Sequence, residues 1–459
     1  MLNKEKTDAA RLLAADDHRY IWHPFTQMQD YLQEEPLIIE SGDGCTLKDI
    51  RGNEYLDGVS SLWTNVHGHR KAAIDVAIKA QLERIAHSTL LGLSNVPAIN
   101  CAKKLVEIAP EGLTKVFYSD SGSTAVEVAL KMAFQYQQQS RAGSPKRQKF
   151  ITFANAYHGD TIGAVSLGGI DLFHATYRPL LFTSLQAPSP HCYRCTLEKT
   201  YPGCELACLK HLAAMMETHC GLVAALVIEP LVQGAAGMIV HPPGFLKGVR
   251  KLCDEHKIIM IADEVAVGFG RTGRMFACEH EGVRPDIMAL AKGITGGYLP
   301  LAATLTTEDI YQGFMGRYEE FKTFFHGHTY TGNPLACAAA IANMEIFATE
   351  DTVNKSAAKI ARLQERLQAM LLLRHVGDVR QRGFMVGIEL VADREKKTDF
   401  PPTEKVGHRV ILAARRRGLI IRPLGNVIVL MPPLSISEIE IDRLCDITCA
   451  AIEEVTEAG

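Results

Sequence analysis

The chain has 459 residues, 47% of them hydrophobic and 22% charged, and carries a formal net charge of −3 at pH 7. That length allows two or three domains, and the composition is ordinary for a globular chain. The charge offers no basic footprint for nucleic acid, and the N-terminus, M-L-N-K-E-K-T-D, lacks an apolar signal core, so the expectation is a cytoplasmic protein with neither nucleic acid nor membrane as partner.

In chain order, apolar runs predict strands at 116–118, 150–154, 223–228, 258–262, 287–290 and 301–305, alternating with helical patterns such as 245–256. This alternation predicts an α/β fold, a mainly parallel sheet wrapped by helices. The longest of these runs, 222–228, is too short to span a bilayer and fits a strand buried on both faces. Pro179, Pro188, Pro190 and Pro202 mark an irregular excursion before the alternation resumes. After Asn333-Pro334 a long helix is expected, followed by helices near 353–373 and 404–417 and strands at G-I-E-L-V and V-I-V-L-M. These predict three parts: an N-terminal segment, 1–70, packing with a smaller α+β domain at 334–459, and a large domain, 71–333, between them.

Three motifs carry chemistry. The run I-A-D-E-V ends a strand in Asp263, and Lys292 follows 29 positions later, just beyond the next strand, in L-A-K-G. A strand-end carboxylate and a lysine so placed are what a pyridoxal phosphate enzyme needs: an acid to keep the pyridine nitrogen protonated and an amine to carry the cofactor covalently. Either residue alone is ordinary, since an acid often closes a parallel strand and a lone lysine is usually solvated. The second motif, D-S-G-S-T before a helix, is a phosphate cradle: Gly122 lets the backbone approach an anion, and the N–H groups of Ser123 and Thr124 sit where a helix N-terminus favours negative charge. Taken by itself it also fits plain helix capping. The third, A-Y-H-G-D-T, offers Tyr157 as a flat face for a pyridine ring, or alternatively a half-buried loop tyrosine beside a capping Asp160.

Together with W-H-P-F-T-Q-M at 22–28, D-G-V-S-S-L-W-T-N-V-H-G-H at 57–69, I-E-P-L-V-Q-G-A-A-G-M at 228–238, H-G-H-T-Y-T-G-N-P-L-A-C at 326–337 and I-R-P-L-G at 421–425, these strings resemble the class III aminotransferases. The likeness runs from about residue 20 to the end of the chain. It implies the aspartate aminotransferase-like fold, pyridoxal 5′-phosphate as cofactor, and a homodimer with shared active sites. Lys292, Asp263 and Tyr157 are then the catalytic set. Gly122, Ser123, Tyr157, His158, Glu229, Asp263, Val265, Lys292, His328 and Thr329 are the expected cofactor contacts, with Val265 and Tyr157 on opposite ring faces and Thr329 reaching the phosphate from the other subunit. Phe25, Leu62, Trp63, Tyr157, Lys292, Gly327 and Arg422 are the expected substrate contacts, Arg422 on a carboxylate. The N-terminal W-H-P-F-T-Q-M and S-S-L-W strings point, within the family, to the biotin-pathway branch, whose keto-acid substrate is 8-amino-7-oxononanoate. Other ω-amino acid or ornithine-type transaminases are the alternative.

Members of that branch that use S-adenosylmethionine as amino donor tend to carry Tyr in the H-P-Y string, two adjacent Trp after S-S, and Tyr before L-M-P-P. Phe25, Leu62 and Val429 stand in those places here. The resulting smoother, more aliphatic pocket points to lysine as donor, with S-adenosylmethionine the competing choice.

Of the twelve cysteines, Cys192, Cys195, Cys204 and Cys208 cluster at a spacing that suits four thiolates around zinc, while the others read as small core residues of a reduced protein. Free thiols are the preferred reading and no metal is assigned. A zinc-binding structural protein is the hypothesis from a different class. His67-x-His69 and His326-x-His328 have ligand-like spacing but lie beside glycine in the family strings, and are read as active-site loop residues.

Overall fold

A computed structural model describes residues 2–457. Its centre is a seven-stranded sheet in the order Leu113–Ser119, Ala302–Thr307, Ile287–Leu290, Ile259–Asp263, Val223–Ile228, Lys149–Phe153, Leu185–Ala187. The strands Val223–Ile228 and Ile259–Asp263 are buried at every position, as their unbroken apolar runs require. One strand departs from the expected parallel pattern: Ala302–Thr307 runs antiparallel to both its neighbours. Its apolar run carries no mark of direction, so the sequence did not show the reversal. All other pairings in this sheet are parallel.

Helices cover both faces. Gly122–Gln139 starts in a reciprocal Ser121/Thr124 cap and buries Val126, Ala129, Leu130 and Ala133 on one face of the sheet. Phe245–His256, with the bounds expected from its pattern, buries Phe245, Leu246, Val249 and Cys253 on the other. The two faces therefore hold separate apolar clusters.

The C-terminal part forms a second sheet, Val376–Arg382, Met385–Leu390, Val427–Leu430 and Arg422–Leu424, covered by Thr352–Leu367, Val406–Arg416 and Glu438–Thr456. The helix expected near 353–373 stops at Leu367 and continues as a 3₁₀ turn to Leu372. The one expected at 404–417 starts at Val406, because Pro402–Glu404 makes a separate 3₁₀ turn. Strand Glu54–Asp57, from the N-terminal segment, pairs in parallel with Leu419–Ile420, so the two ends of the chain share a third sheet. The proline-marked stretch holds no regular element between Ala187 and Ala207. All twelve cysteines are free. Cys192, Cys195, Cys204 and Cys208 line one very small cavity, and among the described residues no group of three or more His, Cys, Asp or Glu is arranged to hold a metal. No described helix is long and apolar enough to cross a membrane.

A buried charge cluster ties the second sheet to the turn at Gly237 and Met238, between the short paired strands Val232–Gln233 and Ile239–Val240. Arg380, 8% exposed, donates from Nε to the carbonyls of Gly237 (2.8 Å) and Met238 (3.0 Å), and from Nη1 to Glu389 (2.5 Å) and Asp378 (2.9 Å). Arg194, from the irregular stretch, also bonds Glu389 and reaches Asp399. Burial alone would raise the Glu389 carboxyl, but Arg380 and Arg194 outweigh it and hold it below the usual carboxylate range. Its contribution to stability is thus complete above the unfolded-state pKa and is lost as pH falls through the lower folded-state value. Glu389→Ala leaves Arg380 buried without its main partner and is expected to cost about 3–5 kcal/mol, read as a fall in the denaturant midpoint at unchanged m-value. An Arg380→Met, Glu389→Leu double variant is expected to recover most of that loss.

Candidate active site

The parallel strands all end on one side of the main sheet, and the loops that follow them meet in a crevice there, where open α/β sheets place their ligands. The cavity has a volume of about 410 Å³. Each strand end delivers one part. Ser119 leads into Asp120–Ser123, Phe153 into Tyr157–Gly159, Ile228 into Glu229, Asp263 closes its own strand, and Leu290 leads to Lys292. Trp63, from the N-terminal segment, and the rim residues Thr295 and Gly297–Leu301 complete the walls.

Asp263 is 5% exposed at the cavity wall. Its Oδ2 lies 2.7 Å from His158 Nδ1, and its Oδ1 accepts the Val265 N–H at 3.1 Å. Burial works against a charged His158, but the hydrogen bond and charge of Asp263 overcome it, so the imidazole is pushed above its ordinary pKa. Glu229, 6% exposed, accepts the N–H groups of Tyr157 (3.1 Å) and Gly234 (2.9 Å), and burial raises its carboxyl to about 7. It holds the tyrosine loop in place from behind. Glu264, the second acid of the D-E pair, points away into the core, where it accepts the Ala277 and Cys278 N–H groups.

The Lys292 amine stands 4.8 Å from the Trp63 ring centroid, and burial lowers its pKa against the opposing pull of Asp263 and Glu229. Its backbone sits at φ +47°, in the left-handed region that costs a non-glycine residue. Asn343, on the helix Pro334–Thr349, secures this turn: its buried amide donates to the carbonyls of Gly293 (3.0 Å) and Ile294 (3.1 Å).

The cradle is close-packed. A Cβ on Gly122 would stand 2.6 Å from Val265 Cγ1, and one on Gly159, at φ +123°, would stand 1.9 Å from Ser123 Oγ. Ser123 Oγ accepts the Asp160 N–H (3.0 Å), and the Tyr157 hydroxyl donates to Asp160 (2.8 Å). The Thr124 N–H, expected to face the anion, is taken by Ser121 Oγ at 3.3 Å, so the anion-binding donors of the first turn are the N–H groups before it.

The structure brings together Trp63, Gly122, Ser123, Tyr157, His158, Glu229, Asp263, Val265 and Lys292 around this cavity. Phe25, Leu62, Gly327, His328, Thr329 and Arg422 stand outside its lining. Phe25 is exposed and packs edge-on against Phe173, which in turn meets Tyr157. Leu62 is exposed, Val429 is fully buried in the core, and so only two of the three donor positions are open to a ligand within one chain. Gly327 and Thr329 are exposed, in a segment that lies across the outer side of the Gly122–Gln139 helix, where His326 meets Lys131 at 3.0 Å. His328 is half-buried with an unpartnered Nε2. Arg422 is half-buried near Tyr157, and no carboxylate among the described residues pairs with it. His67 is buried against Phe347 and His69 bonds Asp57, so neither lines the cavity. Sequence reasoning missed the Asp263-holding role of His158 and the anchoring role of Asn343. The adjacent Y-H was the one available signal for the first, and the second left none.

The residues fit pyridoxal phosphate. A buried acid, a lysine with a lowered pKa, a tyrosine face, a valine face and a helix N-terminus too tight for any side chain at Gly122 surround a cavity of suitable size, and the buried Trp63 Nε1 and His158 Nε2 have no protein partner. The profile of the family described as aminotransferase class-III matches residues 28–452. An adenosylmethionine-8-amino-7-oxononanoate aminotransferase of Nitratidesulfovibrio vulgaris is 60% identical over 96% of this chain and 82% of its own length. The crystal structure of the Methanocaldococcus jannaschii protein of the same name superposes with a TM-score of 0.93 at 50% identity, covering 97% of this chain and 99% of that one. A PLP-bound amine transaminase from an uncultivated Pseudomonas species superposes at 0.89 with 37% identity, over 95% of this chain and 98% of that one. The chain belongs to the class-III aminotransferases and uses pyridoxal phosphate.

Proposed function

We propose that this enzyme transfers an amino group to 8-amino-7-oxononanoate, giving the 7,8-diaminononanoate of biotin synthesis. The observation that carries the reading is near full-length identity of 50–60% with proteins of that name, on a cavity whose lysine, acid and cradle match the chemistry. Pyridoxal phosphate, when bound, supplies a ring that withdraws the electron pair released at the substrate carbon. Lys292 carries the cofactor and afterwards moves the proton at that carbon; its lowered pKa leaves more of the amine free to accept it. Asp263, oriented by His158, keeps a proton on the ring nitrogen. Val265 and Tyr157 flank the ring, Gly122 and Ser123 hold the phosphate, and Glu229 and His158 support this set. Thr329, with Gly327 and His328 beside it, completes the site from a second copy of the chain, because none of the three lines the cavity of its own chain. We read the working enzyme as a cytoplasmic homodimer, divided at 1–70, 71–333 and 334–459 as the sequence indicates.

Arg422, half-buried and free of any carboxylate, is assigned to the carboxylate of the keto acid, for which its planar fork is suited. Lysine is the proposed donor, on the hydroxyl-free Phe25 and the ring-free Leu62, both exposed. The relatives' printed name favours adenosylmethionine, and an adenine or a sulfonium would gain roughly 0.5–2 kcal/mol from an aromatic face of the kind that Leu62 lacks.

Three outcomes are expected. Lys292→Ala lowers kcat by about 10²–10⁴-fold or more, and borohydride no longer fixes the cofactor to the protein; retained fixation transfers the role to another lysine. Arg422→Ala raises the keto-acid KM by roughly ten- to a hundredfold, the worth of a charge-assisted pair, while the half-reaction with the donor stays near wild type. Mixing the holoenzyme with each donor separately changes the cofactor's visible absorbance rapidly with lysine. Rapid change with S-adenosylmethionine and none with lysine sinks the lysine assignment.

A further inference from the structure

A second cavity, of about 510 Å³, opens where the N-terminus of the helix Phe245–His256 meets the end of the strand Val376–Arg382. Its walls include His241, Lys247, His280, Glu281 and Arg382. None of the ion pairs among the described residues involves Arg382 or Lys247, and the buried Arg382 Nε has no hydrogen-bond partner. Glu281 is the one carboxylate on these walls, and its two oxygens accept the Gly244 and Lys247 backbone N–H groups at 2.8 and 2.7 Å. Its charge is shared between the helix end and Arg382, whose guanidinium it favours against burial.

His241 is the second, independent observation. It is 6% exposed, lines the cavity, and neither ring nitrogen meets a protein group. Buried polar atoms are nearly always paired, so two orphaned ones on a cavity wall mark a place where something polar belongs. Burial lowers its pKa to about 3, so the ring is neutral and offers one donor and one acceptor. On the same walls, His280 donates from Nε2 to the Thr272 carbonyl at 3.0 Å and lies in the positive field of Arg382 and Arg274.

We propose that this cavity binds a small, multiply charged oxyanion, a phosphate ester or a polycarboxylate, through Arg382, Lys247 and His241 on its walls. A planar guanidinium with a free Nε is suited to two oxygens of one phosphate or carboxylate, and a lysine beside it rewards a second negative charge. The site is distinct from the catalytic crevice. It shares with it the segment from Glu229 through Leu231 to His241, whose first residue faces the active cavity and whose last two face this one.

The test is isothermal titration of the holoenzyme, whose own phosphate niche is filled by cofactor, with inorganic pyrophosphate and separately with citrate at an ionic strength fixed by sodium chloride. One saturable site per chain is expected, with Kd near or below about 1 mM. Arg382→Gln is expected to weaken it by about tenfold or more and Lys247→Gln by about threefold or more, whereas Lys251→Gln, exposed on the same helix, leaves it unchanged. Because citrate can also meet Arg422, the citrate isotherm must persist in Arg422→Ala, and its loss there counts against the proposal. Saturation by pyrophosphate alone assigns phosphate esters, and saturation by citrate alone assigns polycarboxylates. Absence of a saturable site for both ligands, or undiminished affinity in Arg382→Gln, overturns the proposal. Should that variant fail to fold, undiminished affinity in Lys247→Gln overturns it instead.

Discussion

A carboxylate at the buried end of a central strand is costly unless its charge is answered, and much of the site can be understood as the answer to Asp263. His158 takes one oxygen and the Val265 N–H the other. Those contacts leave the acid hydrogen-bonded on both oxygens and fixed in orientation. The imidazole must then sit in a fixed place, and the loop that carries it is held from behind by Glu229 through the Tyr157 N–H. The tyrosine face, the acid and the strand ends thus form one connected hydrogen-bonded assembly.

The sheet explains how residues more than a hundred positions apart arrive together. Parallel strands share one carboxyl edge, so each crossover returns the chain to the same side, and five strand ends contribute to one crevice. Glycines set how closely the loops approach: Gly122 against Val265 and Gly159 against Ser123 leave no space for a methyl group. Stiff packing here limits how far the cradle can drift from the acid on which the chemistry depends.

Much of this was legible in the sequence because strand-end chemistry is local. Asp263, Lys292, Gly122 and Tyr157 each follow an apolar run within a few residues, and the order of runs predicts their convergence. What the sequence hid is non-local. The direction of Ala302–Thr307 depends on where the chain re-enters the sheet, which no apolar run encodes. Asn343 looks like any polar residue in a helix until its amide is seen against the Gly293 and Ile294 carbonyls. Val429 looked like a pocket residue by its place in a string, yet the strand Val427–Leu430 that carries it is buried at every position. Thr329 and its neighbours lie outside the cavity of their own chain, in keeping with a site proposed to be completed by a second copy.

The reversed strand Ala302–Thr307 has a mechanical consequence. A parallel strand there would have required a crossover over the sheet after Leu290, whereas the antiparallel one lets the chain turn back directly along the rim through Gly297–Leu301. The lysine therefore sits on a short span clamped at both ends by sheet and pinned in the middle by Asn343. Such a span has little backbone freedom to lose or gain. The amine's travel comes from the rotors of its own four-carbon stem, so the reach of the proton carrier is set by side-chain length rather than by loop motion.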